Sequence, residues 1–140
     1  MNCSRALWAC FMLLSLISCS RSINRTIGSF GIDSSSLVYS IVEQDEYWFP
    51  NGDGHYYCRL SYEQSSTEGI VFLKNQMMSN GAKPLPINNP SLLLGYLQSY
   101  EITTNEGLYI LQILDSRTGD FSALVLDETN KEIIVLISIT

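Results

Sequence analysis

One histidine, four cysteines and fourteen carboxylates are spread over 140 residues. With a single imidazole, a Ser-His-Asp or Cys-His site has to be built around His55. The nearest thiol, Cys58, lies three positions further along a predicted strand. Alternate strand side chains point to opposite faces, so His55 and Cys58 do not form a direct pair. There is no Gly-x-Ser-x-Gly elbow and no lysine-activated serine signature. Asp53 and His55, joined by the acidic run Glu43, Asp45 and Glu46, are the candidates for a cation site, since carboxylates and an imidazole suit zinc, manganese or calcium. These acids do not alternate toward a closing glutamate as a calcium loop requires, and a solvated turn is the plainer reading. Nothing singles out two carboxylates for glycoside hydrolysis. No catalytic residue, metal or cofactor is therefore assigned.

Binding chemistry is concentrated in Tyr47-Trp48-Phe49 and Tyr56-Tyr57, on either side of Asn51-Gly52-Asp53-Gly54. Three consecutive aromatics cannot all face inward on a strand, so at least one projects outward. Tyr47, Trp48, Phe49, His55 and Tyr57 are the expected binding surface for a protein or a sugar. Cross-strand aromatic packing is the competing explanation.

The first eighteen residues pair a short head carrying Arg5 with an apolar stretch of about 13 residues, too short for the ~20 that span a bilayer. The segment closes on Leu16-Ile17-Ser18-Cys19. It resembles the lipobox of bacterial lipoproteins. The resemblance implies diacylglyceryl transfer to the Cys19 thiol, cleavage before Cys19 and acylation of the new amine. Two or three chains hold a protein stably where one does not. With Ser20 and not Asp after the cysteine, the family pattern favours the outer membrane where two membranes exist. Cleavage after Ser20 by an ordinary signal peptidase would instead release a secreted protein, and a retained segment would act as a short anchor.

Loss of the signal removes Cys3 and Cys10, and lipidation occupies Cys19. Cys58 is then left without a disulfide partner and is expected to be a buried strand residue. Without Arg5, seven basic residues face fourteen acidic ones, a net charge of −7. An acidic chain with no Lys/Arg cluster is a poor match for nucleic acid, and it is mildly repelled by anionic lipid headgroups.

The remaining ~120 residues suffice for one domain. We expect a lipidated cysteine and a flexible Ser/Gly-rich tether over 19–36, within which Ile27, Phe30 and Ile32 are able to dock, followed by one domain over 37–140. Leu37–Glu43 and His55–Tyr62 read as strands. In the second, Tyr56, Cys58, Leu60 and Tyr62 share one face and His55, Tyr57, Arg59 and Ser61 the other. Ser65 and Glu68 form a capping box for a helix to about Ser79. Its stripe is Ile70, Leu73 and Met77, widened by Val71, Lys74 and Met78, and Asn80-Gly81 stops it. Residues 82–95 read as mostly irregular. Asn89-Pro90 starts a short helix or, equally, Leu92–Tyr96 is extended, and Tyr100–Thr103 adds a strand. Leu108–Leu114, Phe121–Asp127 and Glu132–Ile139 are strand-like runs joined by polar turns.

The expected fold is α+β: an antiparallel sheet of five or six strands, one main helix on one face, and a C-terminal three-stranded meander. A partly closed barrel plugged by the helix is the alternative. The preferred function is a non-enzymatic, membrane-anchored protein of the bacterial cell envelope that binds another envelope protein, or a toxin or enzyme that it neutralises. A binding module for a glycan, small ligand or divalent cation is second, and a small hydrolase third.

Overall fold

A computed structural model of the chain describes residues 23–85, 107–115 and 117–140. Leu16, Ile17, Ser18 and Cys19 lie outside the described residues, as do 86–106, where the further helix or strands were expected. The described part is α+β. Six strands, β1 (Ser40–Trp48), β2 (Gly54–Ser61), β3 (Lys83–Pro84), β4 (Leu108–Leu114), β5 (Phe121–Asp127) and β6 (Glu132–Ile139), form one sheet in the order β1-β2-β6-β5-β4-β3. All five pairings are antiparallel. The sheet is open: β1 and β3 are its two edges, and the barrel alternative is not realised among the described residues.

Each face of the sheet has its own apolar cluster, as strand alternation requires. Tyr56, Cys58 and Leu60 of β2 share one cluster with Leu124, Leu126, Ile133 and Val135. Tyr57 joins the opposite one with Phe121, Ala123, Val125, Ile134 and Leu136. Because β5 and β6 contribute to both, they read as unbroken apolar runs in the sequence.

Two helices belong to the first cluster. The expected flexible tether is corrected from residue 23 onward. Residues 23–28 form helix α1, and Ile23, Ile27, Phe30 and Ile32 are buried. The i, i+4 spacing of Ile23 and Ile27 puts both on one helical face, which gives this polar segment an apolar side to bury. Hydrogen bonds fasten the chain beyond α1. Gln76 bonds both backbone groups of Asp33 (2.8 and 3.2 Å), and Asn80 Nδ2 donates to the carbonyls of Phe30 and Gly31 (3.2 and 3.0 Å).

Helix α2 (Thr67–Ser79) starts one residue later than its capping box suggests. Ser66 is the N-cap and accepts from the Gly69 amide at 3.1 Å. Ser65 is diverted to Val38, whose amide donates to it and whose carbonyl accepts from it, each at 2.8 Å. Leu73 and Met77 are buried, whereas Val71 and Met78 are exposed and do not widen the apolar stripe. Lys74 reaches Glu128 at 2.9 Å and lies over the Tyr109 ring, 4.0 Å from its centroid.

Candidate aromatic and acidic edge

The β1–β2 hairpin is positioned by its turn. Phe49 N donates to the Asp53 carbonyl (2.7 Å) and Gly52 N to the Phe49 carbonyl (3.0 Å). Gly52 has φ +96°, a conformation that glycine adopts without strain. Gly54 is required for a different reason. A Cβ there would run into the Tyr47 carbonyl oxygen and sit 2.6 Å from Trp48 Cε3.

From this turn β1 runs through Glu46, Asp45, Gln44 and Glu43, opposite Tyr56, Tyr57, Cys58 and Arg59. The register shifts between Ile41 and Glu43, leaving Val42 as a bulge. The strand expected over Leu37–Glu43 is thus displaced toward the turn. The Leu37 amide donates to the Ser34 carbonyl in a local turn, and Val38 is held by Ser65. Every residue of β1 is exposed.

Of the five expected surface residues, the structure brings Tyr47, Phe49 and His55 together and places Trp48 on the opposite face of β1. Tyr47, Trp48 and Phe49 are exposed at 51, 41 and 49%. The Tyr47 and Phe49 rings meet edge to face at 4.7 Å, and Tyr47 stacks near His55 at 6.1 Å. Trp48 Nε1 donates to Glu46 Oε1 at 2.6 Å. The fifth, Tyr57, is corrected. It is only 1% exposed, because its parity on β2 points the ring into the second apolar cluster. Only its hydroxyl approaches the edge, donating to Glu43 Oε2 at 3.3 Å.

His55 Nε2 lies 3.0 Å from Asp45 Oδ2, while Asp53 Oδ2 accepts from Asn51 Nδ2 at 2.6 Å. The two cation candidates are thus engaged with different neighbours, and no three His, Cys, Asp or Glu side chains gather to hold a metal among the described residues. Cys58 is fully buried in the first apolar cluster, away from His55.

A second polar group that the sequence reading missed continues the same edge. Arg59 lies over the Tyr57 ring (6.0 Å) and pairs with Glu132 (3.6 Å), and Glu43 completes the row. Burial pushes the Tyr57 hydroxyl up to about 12; Arg59 opposes this and Glu43 reinforces it. Glu132 is also raised, first by burial, against the pull of Arg59. The register is centred on Asn51 alone, which pairs Tyr47 with His55, Asp45 with Tyr57 and Glu43 with Arg59, whereas a two-residue Asn51-Gly52 turn would set Trp48 against His55.

Among the described residues the fold is therefore α+β, and its long outermost strand β1 carries aromatics at one end and carboxylates along its length. Comparison with protein-family models, curated proteins and solved structures finds no match for this chain. Among the described residues, no helix is long and apolar enough to cross a membrane.

Proposed function

We propose that this chain is a non-enzymatic protein-binding module of the bacterial cell envelope, anchored by lipid on Cys19 and engaging its partner at the β1–β2 edge. On this reading α2 is the main helix on one face of the sheet, and β4, β5 and β6 are a C-terminal meander. Where two membranes exist, the anchor is in the outer one. The partner is another envelope protein, or a toxin or enzyme held inactive.

The carrying observation is the solvent exposure of Tyr47, Trp48 and Phe49 at the end of a wholly exposed strand. Exposed aromatics are the residue types that supply most of the energy in protein interfaces. The anchor fits this arrangement. Only Ser20, Arg21 and Ser22 separate Cys19 from Ile23, which is buried. Four extended residue steps reach about 14 Å, so the domain rests close to the headgroups. The next residue, Asn24, accepts from the Tyr39 hydroxyl at 2.8 Å, beside the start of β1. From there β1 runs eight steps, roughly 26 Å, to Trp48, which carries the aromatics away from the attachment point.

The test is crosslinking of native membranes followed by affinity purification, with intact-mass analysis of the product. A specific partner that Trp48→Ala weakens, on a protein carrying acyl chains at Cys19, is expected. Recovery that is the same with Trp48→Ala would remove the binding site, and a terminus without acyl chains would remove the anchor.

A further inference from the structure

Helix α2 carries more apolar residues than its core contact uses. Gly69, Leu73 and Met77, at i, i+4 spacing, form its buried side. Val71 and Met78 share the opposite side and are 51 and 43% exposed, and Phe72 beside them is 50% exposed. Seven residue steps of helix place Val71 and Met78 about 10 Å apart along the axis. Apolar side chains gathered on an outer face mark a contact with protein or membrane.

The chain leading back to Cys19 decides between the two. Residues 30–36 run along α2 from its last turn to its first. Asn80 Nδ2 donates to the Phe30 and Gly31 carbonyls, Gln76 bonds Asp33, and a Cβ on Gly69 would lie 3.1 Å from the Ser36 carbonyl oxygen. Phe72, four residues before Gln76, belongs to this flank. Ile23 and Ile27 enter the same apolar cluster as Leu73 and Met77. The leash from Cys19, at most about 14 Å long, therefore leaves the domain on the side of the sheet to which α2 belongs.

Charge is distributed to match. None of the fourteen acids lies in residues 19–32 or 69–80, whereas Arg21, Arg25 and Lys74 do. Arg25 is exposed. Asp33 and Glu68 border these stretches, and the acids that make the chain strongly negative lie outside them, Glu43, Asp45 and Glu46 on β1 among them. The repulsion expected between this chain and anionic headgroups is thus weakest at α1 and α2.

We propose that the outer face of α2 dips Val71, Phe72 and Met78 into the bilayer interface beside the acylated Cys19, with Arg25 among the headgroups. The acyl chains supply the attachment, and the three side chains fix which way the domain faces. The acidic β1 strand then stays off the lipid and open to a partner. This rests on the lipid anchor proposed above and adds an orientation to it.

Because the anchor holds the protein in any case, the test reads orientation. Once the signal is removed, Trp48 is the one tryptophan left. In a Trp48→Phe background, single indoles are introduced by Phe72→Trp, by Met78→Trp and by Tyr47→Trp, the last at an exposed position on the opposite face of the sheet. Each acylated mature protein is reconstituted into vesicles of phosphatidylethanolamine and phosphatidylglycerol, with and without bromine high on the acyl chains. The indoles of Phe72→Trp and Met78→Trp should emit at shorter wavelength in vesicles than in detergent-free solution of the unacylated chain, and should lose emission to brominated lipid. That of Tyr47→Trp should do neither. Two reporters on one face keep the test open if one variant does not fold. Equal quenching on both faces of the sheet would show contact without a preferred side and overturn the proposal. So would absence of quenching at both α2 positions. If Phe72→Ser then abolishes recovery of a crosslinked partner, the face belongs to a protein. An acylated product with no quenching on α2 loses the docking alone. A product that intact mass shows to carry no acyl chain loses the anchor, and the docking with it.

Discussion

Replacing Ile27 with alanine separates a folded α1 from a tether. Ile27 is fully buried in the cluster that also holds Leu73, Met77, Cys58 and Val135. Alanine removes three carbons, worth roughly 2.4 kcal/mol at about 0.8 kcal/mol each in transfer alone. The cavity left among rigid neighbours adds to this, within the ~2–5 kcal/mol seen for such truncations. A domain of this kind has about 5–15 kcal/mol in all, so the loss is a large part of it. The control is Arg25→Ala on the same helix, where the side chain is exposed and the change should stay within about 0.5 kcal/mol. Urea unfolding of the chain from Ser20 onward, followed by circular dichroism, gives both numbers. The midpoint should fall for Ile27→Ala with the denaturant slope unchanged. If Ile27→Ala and Arg25→Ala are alike, residues 23–36 are a tether after all. The attachment point then moves well away from β1, and the domain no longer rests close to the headgroups.

Gly54→Ala should disturb the aromatic end of the hairpin, because the new methyl group meets Trp48 and the Tyr47 carbonyl. A stability loss greater than about 1 kcal/mol and a shifted Trp48 emission are expected, and an unchanged spectrum and midpoint would refute that close approach. At alkaline pH, Tyr57 and Tyr62 hold their protons to about 12 in the fold, above the ordinary value of 10.0, chiefly because both are buried. The unfolded chain ionises first, so stability present below pH 10 declines as pH rises toward 12; Tyr62→Phe should make that decline shallower, and an identical slope of urea midpoint against pH would refute the assignment.

The strands β4, β5 and β6 were legible because burial on one or both faces leaves continuous or alternating apolar runs, and polar turns mark their ends. The faces of β2 followed from parity alone, including burial of Tyr56, Cys58 and Leu60. Parity also held the correction to Tyr57. It shares a face with half-buried His55, but lies further from the turn, where that face is covered. Exposure along a strand depends on what packs over each position, which alternation does not encode. Helix α1 was hidden because Ile23 and Ile27 are embedded in Ser, Asn, Arg and Gly, and two apolar positions are too few to establish a helical period. Within the candidate site the aromatics were visible by type. The row Glu43, Tyr57, Arg59, Glu132 was not, because it joins residues almost ninety positions apart through two strand pairings.

β1 is the element where local preference and final structure disagree most. Glu43-Gln44-Asp45-Glu46 has poor β-propensity, and no residue of the strand is buried. Apolar burial does not hold it in place. The turn and the ladder to β2 do, together with Asp45–His55 and Glu43–Tyr57 contacts whose partners are better buried than they are. Trimming the sheet to five strands would remove this exposed edge while leaving most of both apolar clusters intact. A sixth strand that adds exposed aromatics and carboxylates but little core is poorly accounted for by stability alone. Departures of this kind from local consistency are found where a surface has work to do, and on the proposed function that work is binding a partner protein.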